Sequence, residues 1–395
     1  MKKSLSIIAL AALAFVGCSK VVPESPKAVE TKEKDVPIEF NAYNYLNTTK
    51  ALSSGTTFYT GGKFGIYSVF SGNDFTTVDA TDAAMYFSNK EVARFTSPSE
   101  FWAINESNGG NRVSYYWPKT GKLSFFAYFP KMNSGVTLAN DGKITFADYS
   151  VASSIADQAA NISDTDDYDN NDLMIADAVK DKEANHTGGI TDKVQLTFRH
   201  KLAKIKFSAK MSEKATIDDD LQFKIVVKSI NVTKFGTKAD YNGSAWGSIK
   251  NSNDEIAAMD SGDFETEEIV GGTAAGNDFA DDATALEKDT YKVFGNALYV
   301  MPQTLNNDTA VQIKYDVYAV KTSTKKIISL TENTKTVALK NFKSTQNSTT
   351  TDITAWEINK IYNYRFTIDA FADEILFDPV VVDWENVDSD EYKLN

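Results

Sequence analysis

The chain has 395 residues, 42% of them hydrophobic, enough for one or two ordinary cores, and its length favours two domains. A formal charge of −13, with only four arginines (Arg94, Arg112, Arg199, Arg365), repels phosphate backbones and excludes nucleic acid as an expected partner. One cysteine, Cys18, excludes an intramolecular disulfide, so a secreted fold would be held by packing alone. The 24 Phe, 18 Tyr and 5 Trp, with frequent Thr, Val and Ile, suit a pleated, half-buried surface, so the expected fold class is all-β.

Lys2 and Lys3 form a positive n-region, and Leu5 to Val16 an apolar run too short to span a bilayer as a mature helix. It ends in Phe15-Val16-Gly17-Cys18, which resembles a bacterial lipobox, although Phe15 and Val16 depart from the usual residue types. The expectation is a lipoprotein signal peptide over 1–17 and acylation of Cys18, which would then hold outer-membrane lipid. An ordinary signal peptide with an incidental cysteine is the alternative. Residues 18–35, with Pro23, Pro26 and mixed charge, read as a tether.

From Val36 the chain turns to short alternating runs. Val36 to Ala42 places Ile38, Phe40 and Ala42 on one face of a strand. Strands are expected over Phe64 to Phe70, Leu123 to Phe129, Val194 to Phe198 and Ala203 to Ala209. Later ones cover Leu221 to Val232, Ala297 to Met301, Val311 to Val320, Ile361 to Ile368 and Ile375 to Val382. Many short strands with Gly, Asn and Asp turns indicate sandwiches. Helix is expected at most as one turn around Ser97 to Trp102. Polar segments at Ser153 to Asp172 and Asn251 to Asp289 are long for loops. The expected division is a β-sandwich domain over 36–198 and another over 199–395.

The search for chemistry returns little. His186 and His200 lack the partners and spacing of a zinc site, and no nucleophile elbow, phosphate loop or dinucleotide fingerprint is present. Asp167, Asp169 and Asn171 have the D-x-D-x-N spacing of a calcium loop. Asp172 stands where that loop needs Gly, and Ala178 where it needs Glu. An irregular site in Asp164 to Asp172 stays open beside a plain surface loop. No enzyme activity, cofactor or metal is expected.

Several segments together carry a resemblance. Trp117-Pro118 with Leu123-Ser124-Phe125-Phe126-Ala127-Tyr128-Phe129-Pro130, then Asn171-Asp172-Leu173-Met174-Ile175-Ala176, then Leu196 to Ile205, Met301-Pro302-Gln303 and Val382-Asp383-Trp384 stand in one order along the chain. In that order they resemble the fimbrillin-like proteins, the type V pilins of Bacteroides-type bacteria. The resemblance implies two tandem transthyretin-like β-sandwich domains, export as a lipoprotein to the outer membrane and cell surface, and assembly into a fimbria that supports adhesion. It further implies that a processing protease removes the anchor with the first strand, here Ile38, Phe40 and Ala42. The groove left behind accepts a C-terminal strand from another copy or a related fimbrial subunit, an instance of β-augmentation. Lys50-Ala51 stands at the processing position, where the family's protease prefers Arg. Val380, Val382 and Trp384 share one face and would be the donor anchors. A host surface or glycan is a further expected partner. The alternative is a non-polymerising surface lipoprotein of the same kind, either an anchor or glycan-binding.

Overall fold

The computed structural model describes residues 35–44, 58, 61–97, 99–108, 110–154, 157–158, 162–163, 168–169, 171–186, 193–212, 216–218, 220–251, 260–264, 278–279, 285–346, 349–370 and 375–383. The signal peptide, Cys18, the tether up to residue 34, Lys50, Ala51 and Trp384 lie outside them. The fold is all-β. Among the described residues, helical backbone is confined to a 3-10 turn at Leu339–Asn341 and the pair 157–158.

The first half of the chain supplies β1 (Phe40–Asn44), β2 (Phe64–Ser71), β3 (Ala83–Phe95), β4 (Phe101–Ile104) and β5 (Lys122–Phe129). It continues with β6 (Val136–Leu138), β7 (Ile144–Ser150), β8 (Met174–Ala176), β9 (Val179–Lys182) and β10 (Val194–His200). Eight of these pair in the order β8–β10–β1–β4–β3–β2–β5–β9, and β8 also pairs with β5, so the sheet closes along that edge. Alternation explains how one strand serves two cores. Leu123, Phe125, Ala127 and Phe129 of β5 point into the enclosed core, while Phe126 and Tyr128 point out into a second cluster. β5 is therefore buried on both faces and its sequence is a nearly unbroken apolar run. Opposite Tyr128 stands Gly65 of β2, where an added Cβ would fall 2.3 Å from the tyrosine ring. No larger residue fits without moving that ring.

The second half adds β11 (Ala203–Met211), β12 (Leu221–Phe235), β13 (Lys238–Tyr241), β14 (Lys292–Val300), β15 (Ala310–Lys321), β16 (Ile327–Ala338), β17 (Lys360–Ile368), β18 (Ile375–Phe377) and β19 (Val380–Asp383). One sheet runs β14–β11–β17–β18, with β19 also on β17, and a second contains β12, β15 and β16 in that order. The two enclose a core of Ile205, Phe207, Tyr364 and Phe366 from one side and Ile225, Ile230, Ile313 and Tyr315 from the other. The first strand of each half lies parallel to a late one: β1 to β10, and β11 to β17.

The halves meet in a third cluster. β13 pairs with β7, which pairs with β6, so a strand of the second half completes a three-stranded sheet begun in the first. Tyr67, Phe126, Tyr128, Phe146 and Tyr149 pack there with Leu202, Tyr241, Tyr299 and Met301. Gln158 adds a polar clamp. Its side chain accepts from the Tyr299 backbone N–H at 2.9 Å and donates to the Tyr299 carbonyl at 2.8 Å, as a neighbouring strand would. Gln158→Ala would remove the Gln158 hydrogen bond from each of these two buried Tyr299 groups, at about 1–3 kcal/mol each. A loss of about 2–6 kcal/mol is expected in chemical unfolding, with unchanged secondary structure by circular dichroism.

Three expectations change. Phe101 and Trp102, placed in a possible helical turn, lie in β4 against β3. The run Ile375 to Val382 is two strands, β18 and β19, with Asp378-Pro379 between them, because proline has no N–H to give a ladder. β10 continues through His200, and β11 begins at Ala203 in another sheet.

Candidate functional site

The segment from Val36 to Asn44 completes the first core. Its strand was read from alternation as Val36 to Ala42, and it divides between two partners. Ile38 N–H donates to the Tyr115 carbonyl at 2.8 Å, and Trp117 N–H to the Val36 carbonyl at 2.9 Å. Beyond Glu39, whose carbonyl accepts from Val194 N–H, the chain pairs in parallel with β10, from Phe40 opposite Val194 to Asn44 opposite Phe198. On the other side Phe40 pairs antiparallel with Trp102 of β4. β1 is thus an interior strand, and β4 and β10 are the two edges that it covers.

The inward side chains are almost fully enclosed: Val36, Ile38, Phe40 and Ala42 expose 2%, 3%, 0% and 4% of their surface. Phe40 meets Phe64 and Phe125 edge-on, with centroids 6.4 and 5.7 Å away. Burial of Val36, Ile38 and Phe40 contributes roughly 5–9 kcal/mol at 1.5–3 kcal/mol for each large side chain. Val36 belongs to this set with Ile38, Phe40 and Ala42, and the period of two already pointed to it.

Charge marks the outer side. Glu39 Oε2 lies 3.8 Å from Lys193 Nζ, which also donates to the Glu100 carbonyl at 2.9 Å. The Arg94 guanidinium, hydrogen-bonded to Glu100, holds that carboxyl below its ordinary range. Lys193 is therefore the cation that the Val36 to Asn44 segment meets at its fourth residue, Glu39.

Phe58 is the next described residue after Asn44, and sequence reasoning missed it. It is fully buried among Trp102, Phe129, Phe198 and Phe64, at centroid distances of 5.5, 5.2, 4.6 and 5.9 Å. The only hint was a bulky ring at the end of a polar run, Ser53 to Thr57. Lys50 lies in sequence between two anchors of one core, Phe40 before it and Phe58 after it.

At the other end, β19 pairs antiparallel with β17, from Val380 opposite Asn363 to Asp383 opposite Lys360. Val381 packs against the second core, and Val380 and Val382 are half-buried. Asp383 forms an ion pair with Lys360. Within one chain, then, β1 and β19 belong to different sheets.

The remaining candidates serve the fold. His200 is buried with its Nδ1 2.8 Å from Asp172 Oδ1, and His186 Nε2 lies 2.8 Å from the Pro118 carbonyl. Asn171 donates its side-chain amide to the Gln158 carbonyl, and most of the Asp164 to Asp172 run lies outside the described residues. Among the described residues there is no group of three His, Cys, Asp or Glu placed to hold a metal ion, and no helix long and apolar enough to cross a membrane.

These features define an all-β protein of paired cores, the first completed by a buried N-terminal segment. The chain belongs to the fimbrillin-like family, whose model matches residues 49–384, from beyond β1 through β19. A fimbrial protein from Bacteroides vulgatus is 20% identical, with 89% of this chain and 100% of that one covered and a TM-score of 0.52. A candidate cell-adhesion protein from Bacteroides uniformis gives 17% identity, 89% and 99% coverage and a TM-score of 0.47. The tip fimbrial protein from Porphyromonas gingivalis gives 12%, 89% and 100%, and 0.37. Comparison with curated proteins returns no match.

Proposed function

We propose that this chain is a structural subunit of a surface fimbria, delivered as a lipoprotein through Cys18 and polymerised by strand exchange. Its two β-sandwich domains, 36–198 and 199–395, take different parts in that cycle. Cleavage between Lys50 and Ala51 by a trypsin-like processing protease removes the tether together with Val36 to Asn44. The groove between β4 and β10 then receives the Val380 to Trp384 segment of another copy or of a related subunit, and the fibre supports adhesion to a host surface.

One observation carries this reading. β1 is an interior strand whose loss would bare two sheet edges and an apolar trough, and such edges recruit a replacement strand. Removal of a whole inner strand from a packed core is costly enough to require a covalent cut, which the family membership makes intelligible.

Limited proteolysis after Lys50 tests it. The cleaved full-length chain should run as ladders on unheated gels, and deletion of Val380 to Asn395 should return it to monomers. Monomers alone from the cleaved full-length chain would overturn strand exchange.

A further inference from the structure

The pattern that β1 presents to its core occurs twice in the chain. Val36-Pro37-Ile38-Glu39-Phe40-Asn41-Ala42 and Val380-Val381-Val382-Asp383-Trp384-Glu385-Asn386 agree in residue class at four of their seven positions. Each has an aliphatic residue first and third, an acid fourth and an aromatic ring fifth. The first copy occupies a site whose demands are known: buried positions at 36, 38, 40 and 42, and Lys193 beside the acid at 39.

The geometry points to a single register for the exchanged strand: the tail of a second copy lies parallel to β10, with Val380 at the Val36 position, Val382 at Ile38, Trp384 at Phe40 and Asp383 beside Lys193. This rests on the strand exchange proposed above and specifies its partner residue by residue.

Other placements meet a physical obstacle. A slip by two, with Val380 at Ile38, forces the indole of Trp384 into the space of Ala42, puts Asp378 at the buried Val36 site and sets Asp383 opposite Gln195 rather than beside Lys193. A slip by one turns Asp383 into the core. A reversed strand with Trp384 at Phe40 buries Asn386 at Ile38 and Asp388 at Val36. In the proposed register an aromatic replaces an aromatic against Phe64 and Phe125. The acid exchanges one lysine, Lys360 in its own subunit, for another, Lys193. Its weak point is Asn386 at the Ala42 position.

Disulfide trapping reads the register directly, with Cys18→Ser removing the native thiol. Asn41 and Gln195 are partners in the β1–β10 ladder, so N41C with Q195C in the uncleaved chain calibrates the reach. Chains carrying Q195C are then cleaved after Lys50 and mixed with cleaved chains carrying either E385C or D383C. The register predicts covalent dimers with E385C, at least tenfold more abundant than with D383C, and several-fold slower dissociation of the polymer for N386A. A preference for D383C, ladders that form without either crosslink, or N386A polymers that dissociate no more slowly would overturn the register while strand exchange stands. Absence of ladders from every mixture would overturn strand exchange and the register with it.

Discussion

Phe40→Ala is expected to destabilise the uncleaved chain by about 3–5 kcal/mol and to leave the polymer formed after cleavage at Lys50 unchanged. Phe40 is fully buried against Phe64 and Phe125 and sits at the point where β1 touches both β10 and β4. Truncation removes the largest side chain that β1 contributes and leaves a cavity lined by rigid rings, which collapse poorly. After cleavage the residue has left with its strand, so the groove of the variant and of the parent would be the same. Guanidinium unfolding of the uncleaved chains, followed through the emission of Trp102 and Trp117, gives the first number. Denaturant dissociation of the cleaved polymers gives the second. An equal loss in both would mean that β1 stays in place and that strand exchange does not occur there.

Phe58→Ala should behave differently, with a loss of about 3–5 kcal/mol in the uncleaved chain and a comparable one in the cleaved polymer. Phe58 lies after Lys50 in sequence and within hydrophobic contact of four rings of the same core. On the proposed reading it is the last described anchor left on the N-terminal side of β2 once β1 is gone. It keeps Trp102 of β4 and Phe198 of β10 packed against a common ring, so the walls of the groove stay in register while the site is empty. An effect confined to the uncleaved chain would place the cut beyond Phe58 and exclude Lys50 as the processing point. The two variants together distinguish the part of the core that leaves from the part that remains.

The same division accounts for the stability that the cycle requires. On the proposed reading, a strand that contributes several kilocalories per mole would not be displaced quickly by competition, and the subunit would stay monomeric before processing. The incoming strand would supply three large apolar side chains in exchange for three, so the proposed polymer would recover most of what cleavage removes. β19 would give up its pairing with β17 in that exchange, a ladder of four registered pairs whose side chains are half-buried.

The sequence by itself determined the class of the fold and which residues of the Val36 to Ala42 segment face inward. Alternation over Val36 to Ala42 and Ala203 to Ala209 is a local property, set by the two-residue repeat of a strand, and it survives in the structure as the buried apolar faces of those segments. The order of the Trp117-Pro118, Leu173-Met174, His200 and Met301-Pro302 segments pointed to the family that the model match bears out. What only the tertiary structure decided was partnership. Periodicity shows which face of a strand is apolar but carries no information on its neighbour, and β1 finds its parallel partner at Val194 to Phe198, far along the chain. The insertion of β13 beside β7, the clamp of Gln158 on Tyr299 and the burial of Phe58 all depend on contacts between residues remote in sequence. So does the break at Pro379, which matters because β17 needs a ladder there. Phe40 was legible from the start as an inward residue, and the fold made it an interior strand's central contact.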